Sequence, residues 1–76
     1  GPGMLVTLRP LDDADPVDET YLLAESGEER APGVRTITTT SPLGSAILGA
    51  RHDQEISYAA PVGTVRYTVV SFEPRA

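Results

Sequence analysis

Four aspartates crowd one short stretch of this 76-residue chain: Asp12, Asp13, Asp15 and Asp18, interrupted by Pro16. Several carboxylates together are what a hard cation asks for. The spacing lacks the turn glycine and closing glutamate of a calcium loop, so the stretch reads as a solvated turn that holds no metal. His52, the only histidine, is followed by Asp53. A carboxylate can orient an imidazole for general-base work, but such a pair needs a nucleophile and a pocket. Neighbours along a strand point to opposite faces, and the segment reads instead as a surface loop between a helix and a strand. Ser41 and Ser45 carry hydroxyls that a base could activate. Gly44-Ser45-Ala46 is not a nucleophile elbow, no base is near in sequence, and Ser41 is explained as a helix cap. The chain is expected to have no catalytic residue and no cofactor, and not to be an enzyme by itself.

What remains is the corner Thr40-Ser41-Pro42, with Leu43 behind it. Ser41 suits the N-cap, where its oxygen accepts a first-turn amide. Pro42 suits the first helical position, having no amide to leave unbonded and a φ already helical. A corner so built is rigid and presents a helix start, which could grip a carboxylate or a partner helix. It could equally be no more than a well-made cap.

The elements that must hold this corner follow from pattern. Met4 to Arg9 is rich in strand formers and stops at Pro10; Glu19 to Glu25 resumes a strand around Tyr21, Leu22 and Leu23. Ser26 to Gly33 is loop by composition. Val34 to Thr39 is a third strand, with Thr36, Thr38 and Thr40 on one face and Arg35, Ile37 and Thr39 on the other. The helix runs from Pro42 to a left-handed stop at Gly49, with Leu43, Ala46 and Ile47 as its apolar stripe. It is too short to stand alone and must lean on a sheet. Gln54 to Ala60 and Thr64 to Glu73 form a hairpin about Pro61-Val62-Gly63. In its second strand Val65, Tyr67, Val69 and Ser71 alternate with Arg66, Thr68, Val70 and Phe72. Both faces are partly apolar near its end, as if the helix covered it there. The order β-β-β-α-β-β predicts an α+β domain: a twisted antiparallel sheet of about five strands half-wrapped round one short helix.

Composition narrows the function classes. A chain this short buries only about 60% of its unfolded surface, and without cysteine it has no disulfide or thiolate zinc site to help it. Net charge is −5, and the six basic residues, Arg9, Arg30, Arg35, Arg51, Arg66 and Arg75, are scattered. Nucleic-acid binders gather such residues into a phosphate-neutralising patch, so no direct grip on DNA or RNA is expected. No apolar run nears the ~20 residues of a membrane span and no signal peptide precedes the first strand, which makes the cytoplasm the default. Residues 1–3, opening Gly1-Pro2, read as a remnant of tag removal or a linker, with the domain proper over 4–76.

The run Thr36-Ile37-Thr38-Thr39-Thr40-Ser41-Pro42-Leu43-Gly44-Ser45-Ala46-Ile47-Leu48-Gly49 resembles the "IS-x-x-SP-(I/L/M)-x-x-(A/G)-(L/I)-(L/I)-G" signature of the Gre family of bacterial transcript-cleavage factors. Asp53-Gln54-Glu55-Ile56, Pro61-Val62-Gly63 and Tyr67 to Glu73 are similar to later parts of the same family pattern, and the likeness runs from about Met4 to Glu73. It implies an FKBP-like fold and the family's carboxy-terminal domain. That domain docks on bacterial RNA polymerase at the rim of the secondary channel, against a helical hairpin of the largest subunit. Carried over residue by residue, Thr40, Ser41 and Pro42 make that contact and Leu43 anchors the corner from inside. Two departures stand out: Thr40 where the family often has Asp or Asn, and His52 where it has Gly. The family's cleavage chemistry belongs to acidic residues on an amino-terminal coiled coil, which this chain does not contain. Two other readings are a peptidyl-prolyl isomerase, for which four aromatics are a poor endowment, and a Gre-type domain reused as an adaptor in a larger protein.

Overall fold

Alternation along the first strand decides what it buries: Val6 and Leu8 are fully buried, while Thr7 and Arg9, each following one of them, face outward. The computed structural model describes residues 3–74 and gives β1 (Met4–Pro10), β2 (Glu19–Ala24), β3 (Arg35–Thr38), α1 (Pro42–Ile47), β4 (Glu55–Ala60) and β5 (Gly63–Pro74). These are the expected elements in the expected order, with ends moved by one or two residues. Of the leading residues read as a remnant or linker, Gly1 and Pro2 lie outside the described residues. Gly3 donates its amide to the Leu23 carbonyl at 2.7 Å.

The five strands form one curled sheet in the order β3-β2-β1-β5-β4. β1–β2, β1–β5 and β4–β5 are antiparallel, as expected, but β2 and β3 run parallel, so the sheet is mixed. A parallel neighbour requires the chain to cross back over the sheet before pairing. The connection from Glu25 to Val34 does this and covers the outer face: Thr36 Oγ1 donates to the Glu29 carbonyl at 2.7 Å. Leu22 and Ala24 point to that face and are fully buried. This is why β2 is apolar on consecutive residues instead of alternating.

The inner face carries the core of Val6, Leu8, Tyr21, Leu23, Ile37, Ile47, Ile56 and Val69. Of the helix's expected stripe, Ile47 is buried while Leu43 and Ala46 pack half-buried against the cluster. The helix touches β4 and β3, the two edges of the curl, and so closes the opening between them. Gly49 takes the left-handed conformation at φ 79°, as its position past the helix end predicts.

Simple alternation fails at one point in β5. Thr7 pairs with Ser71 and Leu8 with Val69, leaving Val70 as an extra residue. A bulge resets which face each later side chain takes. Phe72 therefore sits opposite Val6 and packs on the core, on the same side as Val69. The expectation that Phe72 and Val69 lie on opposite faces is corrected. The two partly apolar faces seen in the sequence are one face, read through a bulge.

Candidate functional site

The corner between β3 and α1 is held by hydrogen bonds made within a few residues. Ser41 has an extended backbone (φ −71°, ψ 160°) and its Oγ accepts the Gly44 amide at 3.0 Å, the N-cap bond expected of it. The same hydroxyl donates to the Thr38 carbonyl at 2.8 Å, and the Ser41 amide donates to that carbonyl at 3.1 Å. Ser45 Oγ donates to the Thr39 carbonyl at 3.2 Å, and the Thr39 amide ties the corner to β2 through the Ala24 carbonyl at 3.0 Å. Thr40 and Pro42 are exposed and Ser41 half-buried, while Leu43 turns toward the core. The first-turn amide of Gly44 is thus already satisfied by the cap. What the corner offers outward is the shape and polarity of Thr40, Ser41 and Pro42.

One contributor has a reason the sequence pattern did not show. Gly44 is buried at the third helical position, and a Cβ placed there would lie 1.8 Å from the Thr38 carbonyl oxygen. The helix start is pressed against the end of β3, so closely that only a glycine fits without a shift. The available signal was a glycine inside the first turn of a helix, where propensity disfavours it.

The other candidates are drawn apart. Arg9 Nε and Nη2 grip Asp18 at 2.8 and 3.1 Å; Arg66 Nη2 and Nε grip Asp12 at 2.5 and 3.2 Å. Each guanidinium holds its partner's carboxyl below the usual carboxylate range, through the hydrogen bond first and the charge second. The acidic stretch is pinned to the ends of β1 and β5 by these pairs and does not converge on a common point. His52 and Asp53 lie in a turn, not on a strand, and Asp53 has φ 66°. The expected divergence of their side chains is therefore corrected: Nδ1 and Oδ2 are 3.4 Å apart. Both side chains are well exposed, with nothing to enclose a substrate.

Three of the four aromatics gather on the inner face, Tyr21 within the core and Tyr67 packed against it. Tyr58 and Tyr67 stack with ring centroids 6.5 Å apart, and the Tyr21 hydroxyl donates to Glu19. Burial, and after it the Glu19 carboxylate, pushes the Tyr21 phenol well above its ordinary value. The cleft beside Tyr21 is lined by Glu19, Thr20, Gly33 and Arg35. That lining is polar and charged, whereas a second cleft, lined by Met4, Leu23, Ile47, Leu48, Ala50 and Phe72, is apolar.

The profile of the family described as "Transcription elongation factor, GreA/GreB, C-term" matches residues 1–74. Transcription elongation factor GreA of Roseiflexus sp. (strain RS-1) is 35% identical over 71 residues, which cover 93% of this chain and 43% of that protein. GreA of Saccharopolyspora erythraea is 36% identical over 74 residues, covering 96% and 44%. The chain thus spans less than half the length of these relatives. Among solved structures, Thermus aquaticus Gfh1 superposes with TM-score 0.75 at 27% identity, over 96% of this chain and 46% of that one. GreA/GreB from Nitrosomonas europaea superposes with TM-score 0.68 at 25% identity, over 93% and 57%.

Proposed function

The chain belongs to the GreA/GreB family of transcription elongation factors, matching its carboxy-terminal domain over residues 1–74, and from that premise we propose that it is a non-catalytic docking module for bacterial RNA polymerase. The contact is the Thr40-Ser41-Pro42 corner, seated on a helical hairpin of the largest subunit at the rim of the secondary channel, with Leu43 fixing the corner from inside. The observation that carries this reading is the corner itself. Thr40 and Pro42 are exposed, yet the bonds Ser41 makes to Gly44 and Thr38 at 3.0, 2.8 and 3.1 Å hold the backbone beneath them. A contact fixed before binding spares the partner the cost of ordering it.

The rest of the surface agrees with a protein partner. Arg9 and Arg66 are engaged by Asp18, Asp12 and Glu55, so they would have to leave carboxylates to neutralise phosphates. Among the described residues no helix is long and apolar enough to cross a membrane.

The test is a titration of the domain against core RNA polymerase. Ser41→Ala and Pro42→Ala should each weaken saturable binding about tenfold or more. The lost cap costs the fold only about 1 kcal/mol, so circular dichroism should still report a folded domain. Wild-type affinity in both folded variants would remove the corner from the contact. If the unaltered domain does not bind either, the docking reading itself falls for this chain alone, and a second foothold on the polymerase has to supply the affinity.

A further inference from the structure

β4 is an edge of the sheet, with α1 packed against its inner face. The Val69 amide donates to the Gln54 carbonyl at 2.9 Å, and the register continues Ile56↔Tyr67, Tyr58↔Val65 and Ala60↔Gly63. In an antiparallel ladder alternate residues turn their amide and carbonyl to the partner strand and the others turn away. Gln54, Ile56, Tyr58 and Ala60 are bonded to β5, which leaves the amides and carbonyls of Glu55, Ser57 and Ala59 directed off the sheet. All three residues are exposed, and among the described residues no turn, loop or cap bond reaches their backbone.

The two edges of the sheet are not alike. β3 is four residues long, and the Glu25–Val34 connection lies against it through Thr36. β4 is six residues long and has no lysine, no internal proline and no bulge. These are the devices that blunt an edge against strand addition. On its inner face Ile56 is buried in the core, and half-buried Tyr58 offers apolar surface to a strand laid alongside.

We propose that β4 accepts an extended, basic peptide segment of a protein partner as a sixth strand, bonded through the backbone of Glu55, Ser57 and Ala59. Charge selects the class of partner. The chain carries −5, and Glu55 and Asp53 stand at one end of the edge, their side chains 57% and 76% exposed, with Arg66 3.7 Å from the first and His52 3.4 Å from the second. A second copy brings the same −5 to the contact, whereas a lysine-bearing strand meets complementary charge. Backbone bonds supply the affinity and the flanking charges the choice.

The probe is a capped synthetic hexapeptide alternating lysine and valine, added to isotope-labelled protein, with amide hydrogen exchange read by NMR. The expected result is at least about tenfold slower exchange at Glu55, Ser57 and Ala59, with Arg35 to Thr38 unchanged and the effect weakened by salt. Ser57→Pro removes an outward amide and no bond to β5, so it should abolish this protection while the domain stays folded. Should that variant not fold, Glu55→Arg, which leaves the backbone intact, should weaken the peptide several-fold. Equal protection by a glutamate–valine peptide overturns the charge assignment. Absence of protection, or protection that rises with protein concentration without peptide, overturns the proposal, the latter by giving the edge to a second copy.

Discussion

Gly44 and Ser41 act on the same atom from two directions. The Thr38 carbonyl accepts both the amide and the hydroxyl of Ser41, and it lies where a Cβ on residue 44 would be. Alanine at position 44 gains about 1 kcal/mol of helix propensity. It must also push the helix off β3, and overpacking of this kind costs about 1–3 kcal/mol. Gly44→Ala is therefore expected to be destabilising in denaturant titrations, by up to about 2 kcal/mol in net. Unchanged or increased stability would show that the helix start can slide away from Thr38. At the same scale, exposed pairs such as Arg9–Asp18 add little to stability; their role is to say where the acidic loop goes.

An element can be right in kind and still carry its side chains to the wrong place, and β5 is the case. Its type follows from valines, threonines and aromatics in alternation, but Val70 breaks the count. Deleting Val70 would remove the bulge and leave Ser71 opposite Thr7 and Phe72 opposite Val6, so Phe72 keeps its place on the core. Losing a large aromatic from a core costs about 3–5 kcal/mol, so Phe72→Ala is expected to lower the melting temperature sharply, and deletion of Val70 to lower it less. A Phe72→Ala variant as stable as the parent would mean that Phe72 contributes little to the core. The helix makes the opposite point. With six residues it has no stability of its own, and its cap, proline and stop can be read in sequence because they are local.

For the whole molecule, the tyrosine face sets a pH limit. The Tyr21 and Tyr67 phenols are both raised, in each case by burial first and Glu19 next. A phenol whose folded pKa exceeds its unfolded value near 10 favours the folded state fully below that value. The contribution disappears as pH rises through the folded pKa. Stability is thus expected to hold to about pH 10 and to fall beyond it, together with the ultraviolet signal of tyrosinate. Tyr21→Phe should shrink that alkaline loss. An identical alkaline profile in the variant would place the limit elsewhere.

How much of this was legible beforehand depended on the distance between the residues involved. The strands, the capped helix, the hairpin turn and the candidate corner could be read because period, caps and turn chemistry act over a few neighbouring residues. The family could be read for the same reason, since its signature is the contiguous run into Gly49. The parallel pairing of β2 with β3, the bulge at Val70, the seat of Gly44 on Thr38 and the meeting of Tyr21, Tyr58 and Tyr67 could not. Each joins residues from separate elements or depends on a register, and register is decided by what the whole sheet can bury at once. The aspartates show the division most simply. Their number and spacing were plain in the chain, but only the pairing of β1 with β5 brought Arg66 to Asp12, 54 residues away, and tied the loop down as ion pairs.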